Sequence, residues 1–305
     1  MKKSLRRISC VLFCCCALIV PAYVARGAEE PKGLQIAPLR TRLAQKPGQV
    51  STGQTTVTNR TREALTSALS VERFKTTDED YHYDFSQGEH TDWVRLADST
   101  VQLGVDEFKN VAYSLAVPAD AAPGGYYFAI FAATTTGDGG TSIQETRRVA
   151  SLIYLEVDGD LVRKVNLLGV DVPWFTTKPR VSVDSRLVNQ GNTHVEAVLT
   201  SSVKPIIGYS REPTSQQGLI LPGTVRRLTD TAKLSQFPGI YNVGIEYRSP
   251  EGTTQKFNQL VLYLPVWSWF VLASPFVLAL VRWRLRRNTS QTPSRSVGQR
   301  YTPPK

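Results

Sequence analysis

The densest run of chemistry-bearing side chains is Thr76-Thr77-Asp78-Glu79-Asp80-Tyr81-His82-Tyr83-Asp84. Asp78, Asp80 and Asp84 offer hard oxygen ligands of the kind Ca2+ prefers. The spacing fails an EF-hand loop, because Tyr83 stands where that loop needs a glycine for its sharp turn. A solvated surface loop is the plainer reading, and no metal is expected. The aromatic residues suggest a second chemistry. Tyr81, Tyr83 and, farther on, Trp93 have flat apolar faces that could stack on sugar rings, or could pack the loop onto the scaffold beneath it. Loops on a rigid scaffold commonly carry binding. Asp78, Asp80, Tyr81, His82, Tyr83 and Trp93 therefore form the candidate ligand surface.

The rest of the chain offers little to a catalyst. Its histidines are His82, His90 and His194, and none lies in an H-E-x-x-H pattern; neither a P-loop nor a G-x-S-x-G motif occurs. His194 follows the turn Asn189–Asn192 and reads as a strand-edge residue closing a hydrogen bond. The cysteines Cys10, Cys14, Cys15 and Cys16 all fall in an N-terminal apolar run, which leaves no disulfide, thiolate or Cys-based metal site for the body. Glycosidases need only two carboxylates, but nothing in the spacing selects such a pair. No catalytic residue and no cofactor are expected, and a wall-polymer hydrolase is the weakest reading. Asn59-Arg60-Thr61 matches a glycosylation sequon, which has meaning only in a eukaryotic secretory route.

What must position these residues is a set of strands. Short runs rich in β-branched and aromatic residues recur between Gly, Pro, Asn and Asp punctuation. They are Leu34–Leu39, Gln54–Thr58, Ala68–Phe74, Thr100–Leu103, Val111–Val117, Tyr126–Ala132 and Val149–Val157. After Asp158-Gly159-Asp160 a second series follows: Val162–Val170, Val181–Val188, Val195–Val203, Val225–Leu228, Tyr241–Tyr247 and Lys256–Leu264. The expected fold is all-β: two tandem immunoglobulin-like β-sandwich domains, at 33–158 and 160–264, plus one C-terminal transmembrane helix. Without disulfides each domain must rely on a hydrophobic core.

The two ends of the chain read as membrane signals. Residues 1–27 combine a basic start, the apolar run Cys10–Val20 and a small-residue stretch, the layout of a secretory signal peptide. Residues 265–281 form an uncharged apolar segment, short but sufficient against the roughly 20 residues a span takes. Trp267 and Trp269 stand at one end and Trp283 at the other, where indole rings favour the membrane–water boundary. Arg282 and Arg284 open a basic tail, 282–305, rich in Ser, Thr and Pro and expected to be disordered. Basic residues stay cytoplasmic, so the body should lie outside a cell membrane crossed once. The chain's net charge of +10 belongs to these ends: residues 28–281 hold 24 basic and 26 acidic residues. A nucleic-acid partner needs its positive charge on the folded body and is excluded.

Several stretches together resemble the WxL-interacting protein family. Leu34-Gln35-Ile36-Ala37-Pro38-Leu39 with Lys46-Pro47-Gly48-Gln49 resembles the opening of its first domain, and Val117-Pro118 through Pro123-Gly124-Gly125-Tyr126-Tyr127 is similar to a late strand entry there. Val188-Asn189-Gln190-Gly191-Asn192-Thr193-His194-Val195, Leu221-Pro222-Gly223-Thr224-Val225 and Phe237-Pro238-Gly239-Ile240-Tyr241 look like marks of its second domain. The resemblance implies a bacterial surface protein whose first domain is associated with peptidoglycan and whose second binds WxL-domain surface proteins. The excursion Thr76–Trp93 departs from that pattern. The expected function is a non-enzymatic, membrane-anchored binding protein that contacts peptidoglycan, another surface protein, or both. The alternative is a membrane-tethered chaperone or assembly factor for surface proteins, which would take a partner strand on an exposed sheet edge.

Overall fold

The computed structural model describes residues 33–136, 145–210, 212–249 and 252–288. The signal-peptide expectation at 1–27 and the last part of the basic tail lie outside these residues. Strands dominate, and they form four sheets. In sheet one, β1 (Leu34–Ala37), β3 (Val50–Asn59), β8 (Phe108–Ala116) and β6 (Val94–Leu96) lie in that order. Sheet two runs β2 (Arg40–Gln45), β10 (Glu145–Val157), β9 (Gly124–Thr136), β4 (Leu65–Thr76) and β5 (Tyr83–Ser86), with β7 (Thr100–Leu103) also on β4. Sheet three is β11 (Val165–Asp171), β13 (Arg180–Asn189) and β16 (Val225–Lys233). Sheet four is β12 (Phe175–Thr176), β18 (Thr254–Tyr263), β17 (Gly239–Arg248), β14 (Val195–Pro205) and β15 (Thr214–Ile220). Among the described residues, no strand of the N-terminal half (β1–β10) pairs with one of the C-terminal half (β11–β18).

The two halves open with the same device. β1 pairs antiparallel with β3; the chain then crosses at the cis Ala37–Pro38 bond, and β2 runs parallel to β10 in the facing sheet. In the second half β11 pairs antiparallel with β13, and β12 runs parallel to β18. The run Leu34–Leu39, which reads as one strand in sequence, thus ends as a strand at Ala37, and Pro38 and Leu39 carry the chain across to β2. A proline supplies no N–H to a ladder and suits such a crossing.

Alternation decides what is buried. Along β10, Ile153, Leu155 and Val157 face the interior between sheets one and two, where they meet Val57, Val111, Leu115, Phe128 and Ile130. Each such side chain contributes about 1.5–3 kcal/mol by leaving water. Tyr154 points the other way and joins a second cluster, which holds the core of the C-terminal half (Val183, Leu187, Leu199, Val243, Ile245, Val261) together with Phe74, Tyr81, Ala129 and Phe131. The outer face of sheet two is therefore continuous with the second core.

A buried asparagine fixes the same corner in each half. Asn59, at the end of β3, donates to the carbonyls of Glu63 and Gly104 and accepts from Thr61. Asn189, at the end of β13, donates to Thr193 and Ile220 and accepts from the Gly191 amide. Both are fully buried. The sequon at Asn59 is therefore a structural corner, with its amide nitrogen already committed. Gly191 is required by close approach: a Cβ there would lie 2.0 Å from the Val162 carbonyl oxygen.

The last strand passes through Leu264-Pro265 into α1 (Val266–Asn288). The stretch Val266–Arg284 is long and apolar enough to cross a membrane and is almost entirely exposed. The helix continues past the expected end at 281, carrying Arg282, Trp283 and Arg284 on its last turns. Pro275 lies within it.

Candidate functional site

The Thr76–Trp93 excursion is built as a bridge. Thr77 and His82 close its neck through the Thr77 amide and hydroxyl on the His82 carbonyl. Asp78 spends both carboxylate oxygens on His82, at 3.0 Å to the amide and 2.6 Å to Nδ1. Those contacts hold the Asp78 carboxyl below its ordinary range and raise the His82 imidazole. The turn they stabilise has Tyr81 at φ 67°, and it aims Glu79 and Tyr81 at the C-terminal half.

Glu79 sits between Arg186 and Arg227. Arg186 Nε donates to Oε2 at 2.8 Å, a second guanidinium nitrogen meets Oε1, and the Arg227 amide donates to the Glu79 carbonyl at 2.7 Å. The Arg186 hydrogen bond lowers the Glu79 carboxyl below its usual value. The Tyr81 hydroxyl accepts from the Leu221 amide at 2.7 Å and bonds the Thr224 hydroxyl at 2.9 Å. The Arg226 guanidinium lies 4.3 Å from the Tyr81 ring centroid. Burial raises the Tyr81 phenol, so it stays neutral and able to donate.

The six candidate ligand residues do not share one surface. Tyr81 is buried against the second half. Trp93 is buried in the other core cluster, beside Tyr126 and Phe128. Tyr83 faces Phe74 and bonds the Tyr154 hydroxyl at 3.2 Å. Asp78, Asp80 and His82 remain solvent-facing on the bridge, Asp80 lying 3.7 Å from Arg227. Asp84 pairs with Lys75 instead of joining Asp78 and Asp80. Among the described residues no group of three or more His, Cys, Asp or Glu side chains could hold a metal ion.

Sequence reasoning missed a second junction. The Gly125 amide donates to the Asn192 carbonyl at 2.9 Å, Thr193 donates to Glu156 at 2.8 Å, and Arg42 pairs with Glu196 at 3.0 Å. Gly124, at φ 150°, lies so close to Asn192 that a Cβ would be 2.9 Å from its carbonyl oxygen. The Pro-Gly-Gly and Asn-Gln-Gly-Asn turns therefore meet each other across the halves. Beside them Tyr127, Tyr154 and His194 form a ring cluster, with the Tyr127 hydroxyl 3.5 Å from His194 Nδ1. Burial raises both phenols and lowers the imidazole, so all three are neutral near pH 7.

Sheet two also carries a stepped edge. β10 pairs with β9 along all of Glu145–Val157, but β2 covers only Leu152–Val157. The Leu152 amide reaches the Leu39 carbonyl, so its side of β10 faces β2. By alternation the main-chain groups of Arg148 and Ala150 face the same way. Among the described residues no strand pairs with them there. The Arg148 side chain lies over Phe131, 3.5 Å from the ring centroid, and pairs with Glu72.

No family model matches this chain, and no curated protein matches it. Solved structures do. The class 5 fimbriae chaperone CfaA is 12% identical, with 76% of this chain and 100% of that chain covered at a TM-score of 0.40. A complex of the CsuC chaperone and CsuE tip adhesion subunit, from the archaic chaperone-usher Csu pili of Acinetobacter baumannii, gives a chain 9% identical, covering 76% and 99% at 0.38. The E. coli chaperone DraB is 13% identical, covering 75% and 97% at 0.34. These structures correct one expectation: they belong to a different family from the WxL-interacting proteins, and the resemblance to that family is withdrawn. The short motifs behind the resemblance are turn and corner chemistry, which sandwich folds share for backbone reasons. The peptidoglycan ligand came with the resemblance and goes with it.

Proposed function

We propose that this chain is a non-enzymatic, membrane-held assembly factor for surface proteins. It takes an extended client segment as an added strand on the step of sheet two. The observation that carries this reading is the mismatch between β10 and the shorter β2, which leaves the outward main-chain groups of Arg148 and Ala150 beyond the end of the covering strand. An added strand would pair with those groups and continue the line of β2, the standard chemistry of β-augmentation. The CsuC chaperone named above is in complex with a tip adhesion subunit, but the argument for this chain rests on the edge.

In this reading the halves are two immunoglobulin-like sandwich domains, 33–158 and 160–264. α1 crosses a membrane, with the sandwiches outside and the Arg-rich end inside. The two junctions then serve to hold the domains in one orientation, so that a client meets a fixed edge.

The test is capture of a surface-protein client by the full-length chain, followed by hydrogen exchange on the complex. The expected result is new protection at the Arg148 and Ala150 amides, and loss of capture in Ala150→Pro, which deletes one outward N–H. Capture by Ala150→Pro at the wild-type level, or protection confined to other strands, would sink the reading.

A further inference from the structure

The C-terminal half ends in a group of exposed apolar loops that the reading above does not use. Trp174 is 69% exposed, Ile207 92%, Tyr209 99% and Phe237 76%. Ile206, Ile240 and Leu260 are exposed as well. These residues are scattered in sequence, but strand register gathers them. Pro205 pairs with Tyr241, Gly239 with Tyr263, and Thr176 with Tyr263. The Ile206 amide donates to the Ile240 carbonyl at 3.0 Å, the Leu262 amide to Trp174 at 2.7 Å, and the Tyr241 hydroxyl to the Phe237 carbonyl at 2.7 Å. All of them therefore crown one end of sheet four.

That end is also where α1 leaves. Only Leu264 and Pro265 separate β18 from the helix, a reach of about 7 Å. The Leu264 amide is itself tied to the Thr176 carbonyl at 3.1 Å, and Ser268 caps back onto Pro265 at 2.6 Å. β14 stands two strands from β18, about 10 Å. A membrane entered near Trp267 and Trp269 would therefore lie against these loops. Their composition suits that contact: aromatic and branched apolar side chains at the tip, with Lys178, Arg180, Lys204 and Lys233 exposed around them. Such cations attract lipid phosphates, and large aromatic residues favour the interface. The opposite end of the same half carries the contacts with the N-terminal half, so the apolar crown has no role in joining the two.

We propose that this crown is a lipid-docking surface, seated in the bilayer interface beside the root of α1. Three separate loops then fix how the body stands on the membrane, where a lone helix with a short leash would leave it free to tilt. The inference rests on the reading of α1 as a span, and its test separates the two. Single cysteines are placed in the full-length chain, with Cys10, Cys14, Cys15 and Cys16 changed to serine, by Tyr209→Cys, Phe237→Cys, Phe276→Cys and Val105→Cys. Each is labelled with a polarity-sensitive fluorophore and reconstituted into vesicles with chain-brominated phosphatidylcholine. The expected result is strong quenching at Phe276→Cys, at least half as much at Tyr209→Cys and Phe237→Cys, and none at Val105→Cys in the N-terminal half. Quenching at Phe276→Cys alone overturns the docking surface and leaves the span standing. No quenching at Phe276→Cys removes the span and the docking surface together. Labels at 209 and 237 shielded from aqueous iodide but untouched by brominated lipid mean a protein occupant, and also overturn the proposal.

Discussion

At one end of the C-terminal half, the turns around Asn189–His194 and Leu221–Thr224 sink their polar groups into defined partners. Asn192 meets Gly125, Thr193 meets Glu156, and the Leu221 amide meets Tyr81. At the other end, the loops holding Trp174, Ile207, Tyr209 and Phe237 leave apolar side chains in the open. The strands between are the same strands, so the contrast is not one of fold. Buried polar turns need geometry, because each unmade hydrogen bond costs about 1–3 kcal/mol. Exposed apolar loops need no matching partner atoms, and a surface rich in them points to a neighbour outside the chain. One end is specified from within the molecule and the other by what surrounds it.

The largest expected effect breaks the first end. Asn189→Ala removes two donations and one acceptance inside the core, and should cost about 3 kcal/mol. Thermal unfolding of the purified chain should fall by roughly 6–12 °C. Asn59→Ala should cost a similar amount in the N-terminal half; a negligible loss there would show that the corners are equivalent only in outline. Tyr81→Phe comes next. It strands the Leu221 amide and leaves the Thr224 hydroxyl with only the Leu221 carbonyl while keeping the ring, for about 1–2 kcal/mol by denaturant titration.

Acid should loosen the same end. The Glu79 carboxyl is held below its ordinary 4.5 by Arg186, so its contribution is present above that value and disappears as the pH falls through the lower folded value. His194 acts earlier. Burial lowers it below 6.5, so below that pH the unfolded chain takes up a proton that the folded chain resists, and stability declines. From pH 7.5 to pH 5 (about the range in which histidine changes charge) His82, raised by Asp78, works the other way, so a melting series should lose more stability in wild type than in His194→Gln. An unchanged slope would mean that another group governs it. The smallest effect belongs to the apolar end. Tyr209→Ser and Ile207→Ser in detergent should shift stability by no more than about 0.5 kcal/mol, because these side chains have almost nothing to lose on unfolding.

Much of the strand set was legible. Val111–Val117, Val181–Val188 and Val195–Val203 alternate cleanly because one side faces a core and the other faces water. β2 was not, because Arg40-Thr41-Arg42-Leu43-Ala44-Gln45 is a polar edge strand held by its parallel pairing to β10. β15 escaped for a similar reason, its first residues being Thr214-Ser215-Gln216-Gln217. The excursion at 76–93 was legible as unusual, but its use was not. Nothing near Glu79 in sequence announces Arg186 and Arg227, which lie more than a hundred residues away.

By itself, then, the sequence determined the β character, the apolar segment at 265–281 and the nearly neutral body, because periodicity, length and charge are local or additive properties. Only the tertiary structure decided that the strand at Leu34 ends at Ala37 and hands the chain to the facing sheet, that Tyr81 joins the halves, that β10 outruns β2, and that three distant loops crown one end. Each of these depends on register across strands far apart in the chain, and register is set by packing and backbone pairing that no single stretch contains.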